Sequence, residues 1–176
     1  MDQSLQTVLA AALGFLAKSI WDRYWKVRED RESLARSKRI EFLERQLSGF
    51  YWPLYLRLQI NNVIWDHLVA GVEPRDNRQA HVHEELLSSF FLPNHEAMLR
   101  IIEGNAHLAQ PDRELSNQLL RFIRHITIYK TIRGAGLSFD PIAVGEPWPA
   151  EFFPLLEQRL QIMQAEYDRE IGRAAA

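Results

Sequence analysis

The chain has no cysteine. Disulfides, thiolate nucleophiles, cysteine-ligated zinc and iron–sulfur centres are therefore excluded together. It also lacks a surplus of charge: 21 Lys and Arg stand against 23 Asp and Glu, a formal net charge of −2. A broad nucleic-acid surface needs a clear basic excess, so no nucleic-acid partner is expected. Disorder is argued against as well, since 47% of the residues are hydrophobic and 11% aromatic. At 176 residues the chain supports one domain with a real core plus a terminal appendage.

The usual signatures of catalysis are missing too. Ser88-Ser89 and Ser138 lack the G-x-S-x-G turn of a nucleophilic serine. Gly134-Ala135-Gly136 follows a helical pattern instead of preceding one and is not a G-x-x-x-x-G-K-S/T phosphate loop. The best histidine cluster is His81-Val82-His83-Glu84-Glu85. On a helix His81 and His83 would point about 200° apart, so they could not chelate one ion. No histidine has a glutamate three residues before it, as a di-iron bundle requires. No catalytic residue, cofactor or metal ligand is expected, and the reading leans away from an enzyme.

What the chain does have is an apolar beginning. Leu5, Val8, Leu9, Leu13, Phe15, Leu16 and Ile20 carry it, with small residues between them. As a helix, this run would span about 24 Å, somewhat short of a hydrocarbon core of ~30 Å. Trp21, Tyr24 and Trp25 follow where an aromatic belt belongs. Lys18 lies one turn from the end and can snorkel toward the headgroups. The expected partner is thus a lipid bilayer, with Leu5, Val8, Leu9, Leu13, Phe15, Leu16, Ile20, Trp21 and Trp25 as the anchor. Lys18, Arg23, Lys26 and Arg28 outnumber Asp22 around its end, which places the body on the cytoplasmic side of the inner membrane. Two other readings stay open. Leu5, Leu9, Leu13, Leu16 and Ile20 also form a single helical stripe, as in a core or interfacial helix. A cleaved signal fits less well, because Asp2 stands where a basic residue is wanted.

From Trp21 to about Leu47 nothing breaks a helix, and charges of both signs cover it, nine basic against six acidic over 18–46. Ile40, Leu43, Leu47, Phe50 and Leu54 then resume a helical spacing that predicts packing onto a body. Ser48-Gly49 can end this helix and Pro53 can open the next, or Pro53 can kink a continuous one. Trp52, Tyr55 and Trp65 are expected in the core, and Asn61 or Asn62 to crosslink something buried. Gly71–Asn77 reads as a loop, about 78–91 as a helix that stops before Pro93, and Asn94 as the N-cap of a helix to Leu108. After Pro111, Leu115, Leu119, Phe122, Ile126, Tyr129 and Ile132 mark the central helix, with Leu120, Ile123 and Ile128 widening its stripe. Arg133–Pro149 is a Gly- and Pro-rich crossing, and a last helix from about Ala150 to Ile171 is expected to bury Phe153, Leu156, Leu160, Met163 and Tyr167. Arg121, Arg124, His125, Lys130 and Arg133 form a basic run. Of these, Arg121, Arg124, Lys130 and Arg133 are candidate contacts for an anionic partner, against the plainer reading that they pair with the acidic body.

The segment Phe50-Tyr51-Trp52-Pro53-Leu54-Tyr55, behind a hydrophobic helix and a charged neck, resembles bacterial membrane-anchored helical proteins of unknown function. The resemblance covers roughly residues 5–68 and implies a membrane address without an activity. The expected fold is all-α: a membrane anchor helix at 1–21, a charged helical neck at 22–47 and a bundle of about five helices at 48–176. The expected function is a membrane-tethered interaction or scaffold protein, with a protein partner or a second copy of itself. The alternative is a soluble helical enzyme or regulator whose first helix packs in the core.

Overall fold

Leu, Ala, Arg, Glu and Lys dominate the first 46 residues and no proline interrupts them, and they form one helix, α1, Gln3–Gln46. The computed structural model describes residues 3–69, 84–137 and 139–175, apart from the side chains of 3–12, 17, 69 and 175. The side chains of Leu5, Val8 and Leu9, the 71–77 loop, and His81 and His83 therefore lie outside the described residues. Every regular element that is described is helical. Among the described residues no helix is long and apolar enough to cross a membrane.

Of the two readings left open at Ser48–Pro53, the chain follows the continuous path, with no break at Ser48-Gly49. Leu47–Tyr51 forms a π-helical turn and α2, Trp52–Ile64, follows directly, with the backbone right-handed throughout. Proline has no N–H, and its ring crowds the carbonyl four residues back. The wider turn admits Pro53 in the first turn of α2, and the Trp52 N–H donates five residues back to the Leu47 carbonyl. Gly49 serves packing instead of termination: a Cβ there would lie 2.9 Å from Leu108 Cδ1. The same device recurs at Pro93, where a helix end was expected. The π-helical turn Leu87–Phe91 leads straight into α3, Leu92–Ala109, and the Leu92 N–H donates to the Leu87 carbonyl. Asn94 is consequently inside the helix and buried, not at its cap. A third π-helical turn, Trp65–Val69, extends α2.

Gln110, in the left-handed region at φ 43°, ends α3 ahead of Pro111. Asp112 then caps α4, Arg113–Gly134, accepting from the Leu115 N–H at 2.9 Å. That bond and the neighbouring Arg159 hold its carboxyl below the usual range. The crossing that follows contains one short 3₁₀ turn, Pro141–Val144, capped by Asp140 and closed by Gly145 at φ 80°. Phe152–Ala175 is α5.

The chain divides into two compact units, one of residues 1–42 with 170–176 and one of residues 43–169. No described residue of the first unit is buried. Within it, Arg36 donates to the Arg173 carbonyl at 3.3 Å, and Arg28 pairs with Glu32 at 2.8 Å. The second unit packs α2 to α5 with the last turn of α1, one helix fewer than the expected five among the described residues. Phe50, Leu54, Leu58, Met98, Phe122, Ile126, Phe152 and Leu156 are its fully enclosed centre. The α4 stripe read from spacing is buried at each of its six positions, but of the residues expected to widen it Leu120 is exposed and Ile123 and Ile128 are half-buried. On α5 Leu156 and Leu160 are buried as expected, while Phe153, Met163 and Tyr167 are only half-buried. Gln46 and Tyr51 donate to the carbonyls of Leu108 and Ala109, at 2.6 and 3.0 Å. They satisfy acceptors that the end of α3 would otherwise leave without partners. Trp52 and Trp65 are not core residues, at 40% and 41% exposed. Phe50, Leu54, Leu58 and Asn61 hold the inward face, and Trp52 lies about 200° around the helix from Phe50. Tyr55 is half-buried, stacked on Phe153 and donating to Glu157 at 3.0 Å.

Candidate functional site

Three helical stretches of the 43–169 unit each present two residues four apart, hence on one face: Asn61 and Trp65, Phe91 and His95, His125 and Tyr129. Arg133 continues the α4 row by one more turn. Together with Glu84 and Leu87, and with Asp140, Pro141, Ile142 and Trp148 from the crossing, they line a cavity of about 380 Å³. Among the described residues its ionisable walls are Glu84, His95, His125, Tyr129, Arg133 and Asp140.

His95 is the buried polar centre of this cavity. Its Nε2 lies 3.0 Å from Asn61 Oδ1, and a carbonyl oxygen only accepts, so Nε2 carries the proton. The other nitrogen, Nδ1, keeps its lone pair and has no hydrogen-bond partner. Burial, with a smaller contribution from His125, lowers the His95 pKa to about 3, so the ring is neutral near pH 7. Asn61 is fixed in turn by Asn94, whose amide donates to it and, at 3.1 Å, to the Arg57 carbonyl. Asn61 is thus the crosslinking asparagine that its mid-helix position suggests. His125 has the opposite tautomer when neutral: its Nδ1 lies 2.8 Å from the Glu146 carbonyl and donates to it.

Rings surround these groups. Trp148 stacks on His95 with centroids 5.4 Å apart, and Tyr129 meets it edge-on at 5.9 Å. Arg133 lies over the same Tyr129 ring at 5.4 Å and donates to Glu84 Oε1 at 2.6 Å. Its side chain is only 12% exposed, and its buried Nε has no partner. Burial pushes the Tyr129 hydroxyl up, against the opposing pull of Arg133. The cavity thus combines aromatic walls with a few buried polar groups, the lining that small-molecule sites have.

Of the residues offered from sequence as anchor or anionic-partner contacts, only Arg133 lies at this cavity, although Asn61, Trp65, Glu84 and His125, named from sequence for other reasons, also line it. Arg124 pairs with Glu146 and Lys130 with Glu96, the latter at 3.0 Å, while Arg121 is exposed. The four cations are not brought together. Of the anchor candidates, Leu13, Phe15, Leu16, Ile20, Trp21 and Trp25 are all exposed, Phe15 and Ile20 by 70% or more. Trp25 meets Trp21 and Tyr24 edge-on, with Arg28 above it at 5.3 Å. His95 was missed from sequence and His125 was read only as part of a basic run, although each interrupts an apolar helical face, which is the signal a buried polar site leaves. Among the described residues no three metal-ligating side chains come together. No protein-family model, curated protein or solved structure matches the chain.

Proposed function

We propose that this is a membrane-tethered helical interaction protein, whose Leu5–Ile20 segment enters a bilayer and holds the 43–169 unit at the inner face. The observation that supports this reading is the uncovered apolar series Leu13, Phe15, Leu16, Ile20, Trp21, Tyr24 and Trp25. Leu13, Leu16, Ile20 and Tyr24 fall on one stripe, but Phe15 and Trp25 project well away from it. A partner helix would cover one stripe, whereas lipid covers all sides. The aromatic residues and the cations Lys18, Arg23 and Lys26 supply an interfacial boundary. A segment shorter than the hydrocarbon thickness is accommodated by local thinning and by flanking side chains that reach the headgroups.

The test is fractionation. The full chain should stay in the membrane fraction through a carbonate wash, and a variant lacking residues 1–20 should be soluble and helical by circular dichroism. A full chain soluble without detergent, paired with an insoluble truncation, overturns the reading. A discrete soluble dimer of the full chain would also overturn it, assigning the apolar segment to a second copy. A C-terminal reporter active only in the periplasm should stay silent, and a strong signal would reverse the orientation. A second reading, a soluble helical enzyme or regulator, draws support from the cavity around His95.

A further inference from the structure

One wall of the cavity is not a helix. Residues 139–149, from the crossing between α4 and α5, supply Asp140, Pro141, Ile142 and Trp148 to it. This strap contains one short 3₁₀ turn, and its residues 142–145 are exposed. Two polar ties bind it to α4, both at Glu146. The carboxylate pairs with Arg124, whose side chain is 66% exposed, and the carbonyl accepts from His125 Nδ1 at 2.8 Å. Exposed ion pairs hold weakly. Pro141 and Pro149 are buried, and the Trp148 ring stacks on His95 while meeting Phe122 and His125 edge-on, at 5.6 and 5.4 Å.

The ring beneath Trp148 has no place for a second proton. His95 spends its one N–H on Asn61 Oδ1, through Nε2. An imidazolium must carry another at Nδ1, which is buried, screened from solvent and without an acceptor. The titratable groups around it are His125, with its ring 6.5 Å away, and Tyr129, both on α4. His125 donates to Glu146 whether neutral or charged, and a charge on it would only repel one on His95. From α2 the contact is the uncharged Asn61, and from the strap the uncharged Trp148. Glu84, paired with Arg133, and Asp140 line the same cavity, yet no carboxylate bonds to the His95 ring. A charged His95 must therefore part from a neighbour. α3 and α4 are 18 and 22 residues long and fixed by the buried side chains of Met98, Ile102, Phe122 and Ile126, so the strap is the neighbour that yields.

We propose that residues 139–149 are an acid-released strap: a second proton on His95 parts its ring from Trp148, and the strap comes away and opens the cavity to solvent. The direction follows from the protonation of the two states. Closed, the ring has a pKa of about 3; released, it returns to its ordinary 6.5. The open state thus binds the extra proton, and going from pH 7 to pH 5 favours it by about 25-fold. The device needs no membrane and holds wherever the protein sits.

The chain has no cysteine, so a single reporter thiol reads without background. Pro149→Cys places one at a buried position of the strap, and Ile126→Cys places a reference in the core of α4. The full chain is labelled with 4,4′-dithiodipyridine at pH 7 and pH 5, each rate being divided by that of the urea-unfolded chain at the same pH. Pro149→Cys should label faster than Ile126→Cys at both values and accelerate about 25-fold on acidification. Adding His95→Phe, which keeps a flat ring against Trp148 but takes no proton, should abolish the acceleration. One common rate for both reporters would mean that the whole unit opens, which overturns the strap. A change below about threefold overturns it as well, as does an acceleration that survives His95→Phe. Should a substitution prevent folding, the unaltered chain still decides. Protection factors of the amides of Ala143, Gly145 and Glu146, hydrogen-bonded within the strap, are then set against those of α4 at the two pH values, with the same outcomes.

Discussion

Residues 13–25 and residues 43–58 are both rich in large apolar side chains, yet the structure treats them in opposite ways. In the first stretch Leu13, Phe15, Leu16, Ile20, Trp21, Tyr24 and Trp25 are exposed, while in the second Leu43, Leu47, Phe50, Tyr51, Leu54 and Leu58 are buried. Hydrophobic content is similar, so content does not decide burial. In 43–58 the buried apolar residues recur mostly every three or four positions and face neighbouring helices of the same unit, and only Trp52 and Leu56, out of that phase, are exposed. In 13–25 they project in several directions at once, which no single packed face can cover.

That contrast can be broken most directly by truncation. Phe50→Ala should destabilise the 43–169 unit by about 3–5 kcal/mol in urea unfolding, because a fully buried ring leaves a cavity. Leu16→Ala, by the same measurement, should stay within about 0.5 kcal/mol. Equal losses would mean that 13–25 is packed and that the two stretches do not differ.

Acid should separate the two regions as well. The folded pKa of His95 is about 3, below its ordinary value of 6.5. Between these values the unfolded chain holds the extra proton, so stability is fully present above pH 6.5 and falls as pH drops toward 3. The whole loss is on the order of 5 kcal/mol, with about 2 kcal/mol of it already gone at pH 5. Denaturant unfolding at pH 7 and pH 5 should show this loss, and His95→Phe should flatten it. An unchanged pH profile in that variant would mean that His95 is not held neutral by the fold.

Glycine sharpens the comparison at the smallest scale. Gly14 has nothing within 4 Å of where a Cβ would sit, whereas at Gly49 that atom would meet Leu108 at 2.9 Å. Gly14→Ala should therefore favour helix by up to about 1 kcal/mol, read as resistance of helical ellipticity to heating. Gly49→Ala gains the same propensity but must displace a buried leucine, so a net loss of about 1 kcal/mol is expected. A gain at both positions would show that α3 yields easily at Leu108.

Much of the helical frame was legible from residues alone. The α4 stripe is a direct reading of 3.6-residue periodicity, and Asn61 announced itself as a polar residue on an inward face. Pro93 misled, because a widened turn absorbs it inside a continuing helical path, while at Pro53 the residues left open the continuous path that the same device produces. Phase misled at Trp52 and Trp65: both are large and apolar in part, but their angular positions fall outside the Phe50–Leu54–Leu58 row. The cavity was not legible at all. His95 and Asn61 are 34 residues apart and meet only through the pairing of α2 with α3, which no local pattern encodes.

The turn at Leu47–Tyr51 has a consequence for how this chain can tolerate change. A π-helical turn is an α-helical path carrying one surplus residue. Excising a single residue there, Ser48 for instance, would leave a regular helix. Because the surplus residue is absorbed within its own turn, the deletion would leave everything downstream in nearly the same phase. Leu54, Leu58 and Asn61 would keep their neighbours, and Asn61 would keep the oxygen that sets the His95 proton. The same deletion made between Leu54 and Asn61, where no residue is surplus, would turn Asn61 away by about 100° and free the His95 proton to change sides.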